Sequence, residues 1–229
     1  TQLFSWVVGY APGTRPMELP VGWARLIPAN YSLVFEMHYT PNGTSATDLS
    51  GMGLIYVDKE EVDRVALMDL AVNTEFTIPP HKPNFRVEAV REFERDTTVL
   101  AFSPHMHVRG KSFRYELVHP DKNSETVLDV PFYDFNWQNS YVLKEPMVVP
   151  SGAKFRAVAH FDNSESNVAN PDPTKAVGWG PQSWNEMMIG FFEIGVSEKE
   201  ARQRLEYQAK QLREEWAREE SIEQKVSLN

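Results

Sequence analysis

Cysteine is missing altogether from these 229 residues, and that one absence removes disulfides, thiolate metal sites and cysteine nucleophiles together. Any metal must then be held by histidine, carboxylate or methionine. Long apolar runs are missing too. None approaches the roughly 20 consecutive residues a membrane helix needs, so no membrane span is expected and the chain reads as soluble. Positive charge is scarce, with 23 Lys and Arg against 32 Asp and Glu for a net charge of −9. Outside the C-terminal tail it is scattered, which leaves no footprint for nucleic acid. No Ser-His-Asp or paired-carboxylate pattern is present either. What remains, 41% hydrophobic and 24% charged residues, is ordinary for a globular chain able to form one large β domain or two small ones.

Up to about residue 57, short apolar or alternating runs (3–8, 31–39 and 51–57) are separated by turn formers such as Ala11-Pro12-Gly13 and Pro41-Asn42-Gly43. This is the grammar of antiparallel strands, not of amphipathic helices. The charged stretch 58–64 reads as a linker or surface turn. Strands are then expected at 65–72, 84–93, 97–104, 112–119, 126–130, 140–143, 154–161 and 186–196, the number and turn spacing of a β-sandwich. At Ser197 the pattern changes. Ser197-Glu198-Lys199-Glu200 is a capping box, and Leu205, Ala209, Leu212 and Trp216 follow at helical spacing. That apolar stripe is narrow and flanked by both signs of charge, so the helix is expected to lie on the sandwich or against another chain. The expected fold class is all-β: two antiparallel, jelly-roll-like β-sandwich modules, the first incomplete, plus a C-terminal α-helix. The boundaries fall at 1–62, 63–196 and 197–229. The chain opens at Thr1 without a signal-peptide pattern, and its first residues already read as a strand, as though a domain were entered midway; a mature N-terminus is the alternative.

Two of the six histidines stand at His105 and His107, on either side of Met106. On a strand, side chains at i and i+2 share a face, so both imidazoles can reach one ion while Met106 points away. Downstream, Trp184-Asn185-Glu186-Met187-Met188 offers thioethers. A thioether is soft, favours Cu(I) and is almost never a zinc ligand, which makes copper the expected metal. Met188 is chemically as good a donor as Met187, and alternation lets only one of them face the ion. The competing readings are surface histidines on an edge strand and methionines that merely fill a core beside Ile189 and Phe191. His38 shares a strand face with Val34 and Glu36, but one histidine does not hold a metal. His81, His119 and His160 default to structural roles. Residues 160–173 are rich in oxygen donors that could hold calcium, yet they lack an EF-hand pattern, and Asx-turn chemistry accounts for the same residues.

Three stretches together resemble the copper type II, ascorbate-dependent monooxygenases, the family of peptidylglycine α-hydroxylating and dopamine β-monooxygenases. Pro104-His105-Met106-His107-Val108-Arg109-Gly110 is similar to the family's His-x-His strand, Asn185-Glu186-Met187 to its Glu-Met segment, and residues 33–39 with Asp48-Leu49-Ser50-Gly51 to the end of its first domain. The resemblance runs from about residue 1 to residue 195. It implies that His105, His107 and Met187 bind the oxygen-activating copper, and that His38 is one ligand of a second, electron-transferring copper. The family completes that second site with an adjacent His-His pair, which this chain lacks; a partner chain or a missing upstream segment would have to supply it. The resemblance further implies hydroxylation of a small-molecule C–H bond with O2 and a reductant such as ascorbate.

The departures are informative. Peptide-amidating members hold the substrate carboxylate with Arg, Asn and Tyr where this chain has Ser103, Ile189 and Phe191, so peptidylglycine is not the expected substrate. Animal members are disulfide-rich, which points this cysteine-free chain to a bacterial branch; copper chemistry of this kind is usually exported, which implies the periplasm or the outside of the cell. Two other readings compete with the monooxygenase: a non-catalytic copper-binding or structural subunit of a larger assembly, and a cupin-like oxygenase. The second is disfavoured because Glu116 stands too far past His107.

Overall fold

The structure, a computed structural model, describes residues 6–11, 14–40 and 42–227. In chain order its strands are β1 (Trp23–Ala24), β2 (Arg64–Asn73), β3 (Thr77–Ile78), β4 (Phe85–Glu92), β5 (Thr97–His105), β6 (Gly110–Val118), β7 (Ser124–Val130), β8 (Tyr141–Val149), β9 (Lys154–Phe161), β10 (Val177–Gly178) and β11 (Met188–Val196), followed by helix α1 (Glu198–Ser227). The eight long strands form two layers. One has the order β2-β11-β5-β8, with β1 added in parallel beside β2; the other has the order β4-β9-β6-β7. This interleaving of strands between two sheets is jelly-roll topology. The chain is an all-β sandwich carrying a C-terminal helix.

Alternation builds the layers. Along β6, Phe113, Tyr115 and Leu117 turn inward while Arg114 faces out, and along β9 Phe155, Ala157, Ala159 and Phe161 do the same. The facing sheet contributes Phe102, Met188, Phe192 and Ile194. Their rings interlock: Phe102 lies 4.8 Å from Tyr115 and 5.3 Å from Phe155, and Phe192 lies 5.1 Å from Phe155. Burying each such side chain is worth on the order of 2–3 kcal/mol of transfer free energy. Gly190 permits the closest approach, because a Cβ there would come within 2.9 Å of the Tyr115 ring. The Tyr115 hydroxyl donates to the Phe191 carbonyl at 2.9 Å.

Helix α1 starts where the capping box places it, with the Glu200 N–H donating to Ser197 Oγ at 3.3 Å. Its first turns dock on the sandwich through buried Ala201 and Leu205, and through Arg204, which reaches Asp69 on β2. The side chain of Trp216 lies outside the described residues.

The strands expected before residue 58 are not formed. Residues 31–39 and 51–57 belong to no strand, nor do residues 6–8, and residues 3–5 lie outside the described residues. Leu49 and Ile55 remain 100% and 98% exposed, and Val34, Phe35 and Tyr56 are also exposed. A strand needs a neighbour to satisfy its backbone groups, and among the described residues none pairs with these runs. The segment before them instead covers the outer face of the β2-β11-β5-β8 sheet. Trp6 packs on Phe191 at 5.3 Å, and Arg25 pairs with the buried Glu193 carboxylate at 2.6 Å.

Candidate metal centre

Register decides which side chains meet at the end of the sandwich. β11 runs antiparallel to β5 with Ile189 opposite His105. The pairing stops there, and His107 and Met187 lie just past the ends of β5 and β11. Met106 and Met188 are both fully buried in the core, while Met187, the residue just before β11, is half-buried. The His105 and His107 rings stand edge to face with centroids 5.3 Å apart.

Each imidazole is oriented from behind. Gln138 Nε2 donates to the Phe135 carbonyl at 2.9 Å, which leaves Gln138 Oε1 facing His105 Nδ1 at 2.7 Å. A carbonyl oxygen only accepts, so Nδ1 carries the proton and Nε2 keeps its lone pair. His107 Nδ1 faces the Asn185 carbonyl at 3.3 Å, and the Gln182 carbonyl is a second backbone partner of this ring. Burial lowers the His105 pKa to about 4, outweighing the Gln138 hydrogen bond, and the charges of His107 and His38 add to the lowering. Burial lowers the His107 pKa as well. Two neutral imidazoles and a half-buried thioether form a donor set whose chemistry fits a soft ion such as Cu(I).

The turn after His107 is fastened from three sides. Glu186, fully buried, accepts the His107 N–H on Oε2 at 2.9 Å and the Arg109 N–H on Oε1 at 2.6 Å. Buried Arg109 donates through Nε to Asn163 Oδ1 and through Nη1 to the Trp184 carbonyl, both at 2.9 Å. The Tyr133 hydroxyl accepts the Met106 N–H at 3.0 Å and donates to the Met106 carbonyl at 2.7 Å. Gly110 is required, since a Cβ there would meet the Tyr133 ring at 2.7 Å and Met106 Cβ at 2.8 Å. Burial pushes the Glu186 carboxyl up to about 7, against the pull of the Arg109 and His107 N–H groups and the Arg109 charge. Sequence reasoning gave no role to Glu186, Gln138 or Tyr133. The available signals were an acid next to an apolar strand and a lone amide after Trp137.

His38 is placed differently. It belongs to no strand, its side chain is 72% exposed, and its Nε2 lies 3.0 Å from Glu36 Oε1. Among the described residues, no three His, Cys, Asp or Glu side chains gather to hold an ion. His81 pairs with Glu165, His119 with Glu125 and His160 with Ser112. In the loop after β9, Asp162 Oδ1 accepts from Ser164, and Asn163 Oδ1 from Arg109 and Asn170. Those oxygens are engaged in Asx turns and in bracing the site.

Residues 63–192 match the family described as "Copper type II ascorbate-dependent monooxygenase, C-terminal domain", and the chain belongs to that family. It is similar to the DBH-like monooxygenase protein 1 of Homo sapiens, with 27% identity over 168 residues covering 66% of this chain. The chain spans only 27% of the length of that relative. Among solved structures it is similar to the infectious bursal disease virus VP2 subviral particle (TM-score 0.29, 8% identity, 63% of this chain and 37% of that one). The Gt strain of the same virus is comparable (TM-score 0.25, 11% identity, 63% and 38%). Both likenesses are too low to carry an argument.

Proposed function

We propose that this chain carries the oxygen-activating copper site of a monooxygenase that hydroxylates a small-molecule C–H bond with O2 and an external reductant such as ascorbate. The observation that supports the reading is the pair of His105 and His107 rings, each with its Nδ1 facing a carbonyl acceptor, with a half-buried Met187 next to the Glu186 that holds their turn. When bound, copper supplies the redox chemistry of a reaction in which R–H, O2, two electrons and two protons give R–OH and water. The protein's part is orientation and exclusion of water. Gln138 and the Asn185 carbonyl hold the two rings at Nδ1. Phe191 lies 6.3 Å from the His105 ring and Phe135 lies 5.9 Å from His107, so both screen the pair. Three protein donors leave a coordination position open.

Ser103 sits beside His105 on β5 and shares a hydroxyl hydrogen bond with Ser140 at 2.7 Å; Ile189 and Phe191 are apolar. None is cationic, which supports a substrate uncharged near its reacting carbon and not a peptide carboxylate. The division at residue 62 is supported by the family match beginning at residue 63. The exposed apolar side chains between residues 31 and 57 support a first module completed by a partner chain or an upstream segment, with His38 then contributing to a second copper. The absence of cysteine supports a bacterial-type branch, and copper chemistry of this kind, usually exported, supports work in the periplasm or outside the cell. A second reading, a non-catalytic copper-binding subunit, is favoured by the exposure of His38.

Metal analysis of the purified chain is expected to give about one copper per chain. That value falls sharply in His105→Ala while the circular dichroism of the fold is kept. Equal uptake of zinc, or full copper retention in His105→Ala, overturns the assignment. Incorporation of one atom from isotopically labelled O2 into a product separates the enzyme from the mere copper binder.

A further inference from the structure

We infer that the Glu186 carboxylate is the positioning group that sets the separation between the histidine pair and the Met187 thioether. The inference rests on the copper reading above. The β5–β11 ladder ends at His105 and Ile189, so it does not extend to hold His107 beside Met187. From His107 the chain turns back, closed by the Gly110 N–H donating to the His107 carbonyl at 3.0 Å. Glu186 takes over where the ladder stops, with one oxygen on the His107 N–H and the other on the Arg109 N–H. Its own backbone is anchored on the far side. The Glu186 N–H donates to the Gly178 carbonyl at 3.1 Å, and the Glu186 carbonyl accepts from Gly180 N–H at 3.2 Å. Met187 is the next residue, so the thioether rides on a backbone fixed at both ends of one side chain. Arg109, held by Asn163 and the Trp184 carbonyl, keeps the carboxylate compensated. The role needs two acceptor oxygens. A glutamine offers one, and turns an NH2 group against a buried backbone N–H.

The test titrates wild type, Glu186→Gln, Met187→Ile and the double variant with Cu(I) against a chromogenic chelator, alongside X-ray absorption of the Cu(I) forms and Cu(II) titrations. Glu186→Gln is expected to weaken Cu(I) binding roughly 10- to 100-fold and to lose or lengthen the sulfur scatterer. Cu(II) binding, which relies on the imidazoles, changes less. The double variant binds no more weakly than Met187→Ile alone, because both changes remove the same contact. A folded Glu186→Gln protein with wild-type Cu(I) affinity and an intact sulfur scatterer overturns the inference. Wild type that binds no Cu(I) overturns the copper reading instead. Amide hydrogen exchange on copper-free wild type decides the matter without any variant that must fold. The His107 and Arg109 N–H groups are expected to be protected before metal is added; protection that arises only with Cu(I) means the metal, not Glu186, sets the turn.

Discussion

Met187 and Met188 are neighbours in sequence with opposite fates. Met188 joins Met106 in the core, where no solvent reaches it, and Met187 stays partly open to solvent. Met187→Ile is therefore expected to remove the sulfur scatterer from the X-ray absorption spectrum of the Cu(I) form. Met188→Ile should keep it while losing about 1–2 kcal/mol in urea denaturation, since a branched side chain replaces a flexible one in a packed site. The reverse pattern would reassign the ligand. Gly110 makes a second demand at this scale. Gly110→Ala drives a methyl group into Tyr133 and Met106, and a loss of about 1–3 kcal/mol is expected, measured by thermal unfolding, together with weaker copper binding as the turn shifts.

At the level of elements, Asp69 ties three of them together. From β2 it accepts two hydrogen bonds from Arg91 of β4, both at 3.1 Å, and one from Arg204 of α1 at 3.3 Å. Burial works to raise its pKa, but the Arg91 hydrogen bond and charge, the Leu70 N–H and Arg204 outweigh it and leave the carboxyl below its usual 3.8. A carboxyl depressed in the folded state binds fewer protons there than in the unfolded chain. Its stabilisation is thus present at neutral pH and is lost as pH falls below the ordinary value through the folded one. Asp69→Asn is expected to cost about 1.5–3 kcal/mol near neutrality, with the gap to wild type narrowing by about pH 3. Urea titrations at both pH values check this, and an unchanged gap would show that the charge is not what secures helix and sheet. Elements were legible to different degrees. β9 fell at the expected residues, but β8 was expected over 140–143 and runs Tyr141–Val149, because Lys144-Glu145-Pro146 breaks the alternation. β8 lies at a sheet edge, where charges and proline are tolerated.

For the molecule as a whole, the uneven finish of its two parts matters most. The sandwich from residue 64 onward has a closed core, while the stretch carrying His38 exposes apolar side chains and belongs to no sheet. Hydroxylation needs two electrons per cycle, and His38 offers one donor where about three are needed to hold copper. The 229-residue chain alone is expected to consume O2 slowly with ascorbate and to form little product. Adding a partner or upstream segment bearing a His-His pair should restore coupling, read as product formed per O2 consumed. Many coupled turnovers by the chain alone would instead require a mononuclear mechanism, or a second site drawing on His81 or His160.

The sequence by itself determined the strand-rich sandwich, the helix start at Ser197 and the nearness of the His105 and His107 rings. Each follows from periodicity between near neighbours, which is a local property of the backbone. Tertiary structure decided the rest. Met187 and Met188 are told apart by burial, which the packing of the two sheets sets: Met188 is enclosed in the core and Met187 is not. The groups behind the imidazoles, Gln138 and the Asn185 carbonyl, come from other segments of the chain, as does the Glu186 carboxylate under the turn. Residues 31–57 show the complementary case. Their alternation is as clear as that of β6, yet they form no strand, because a strand exists only when another offers its backbone to pair with.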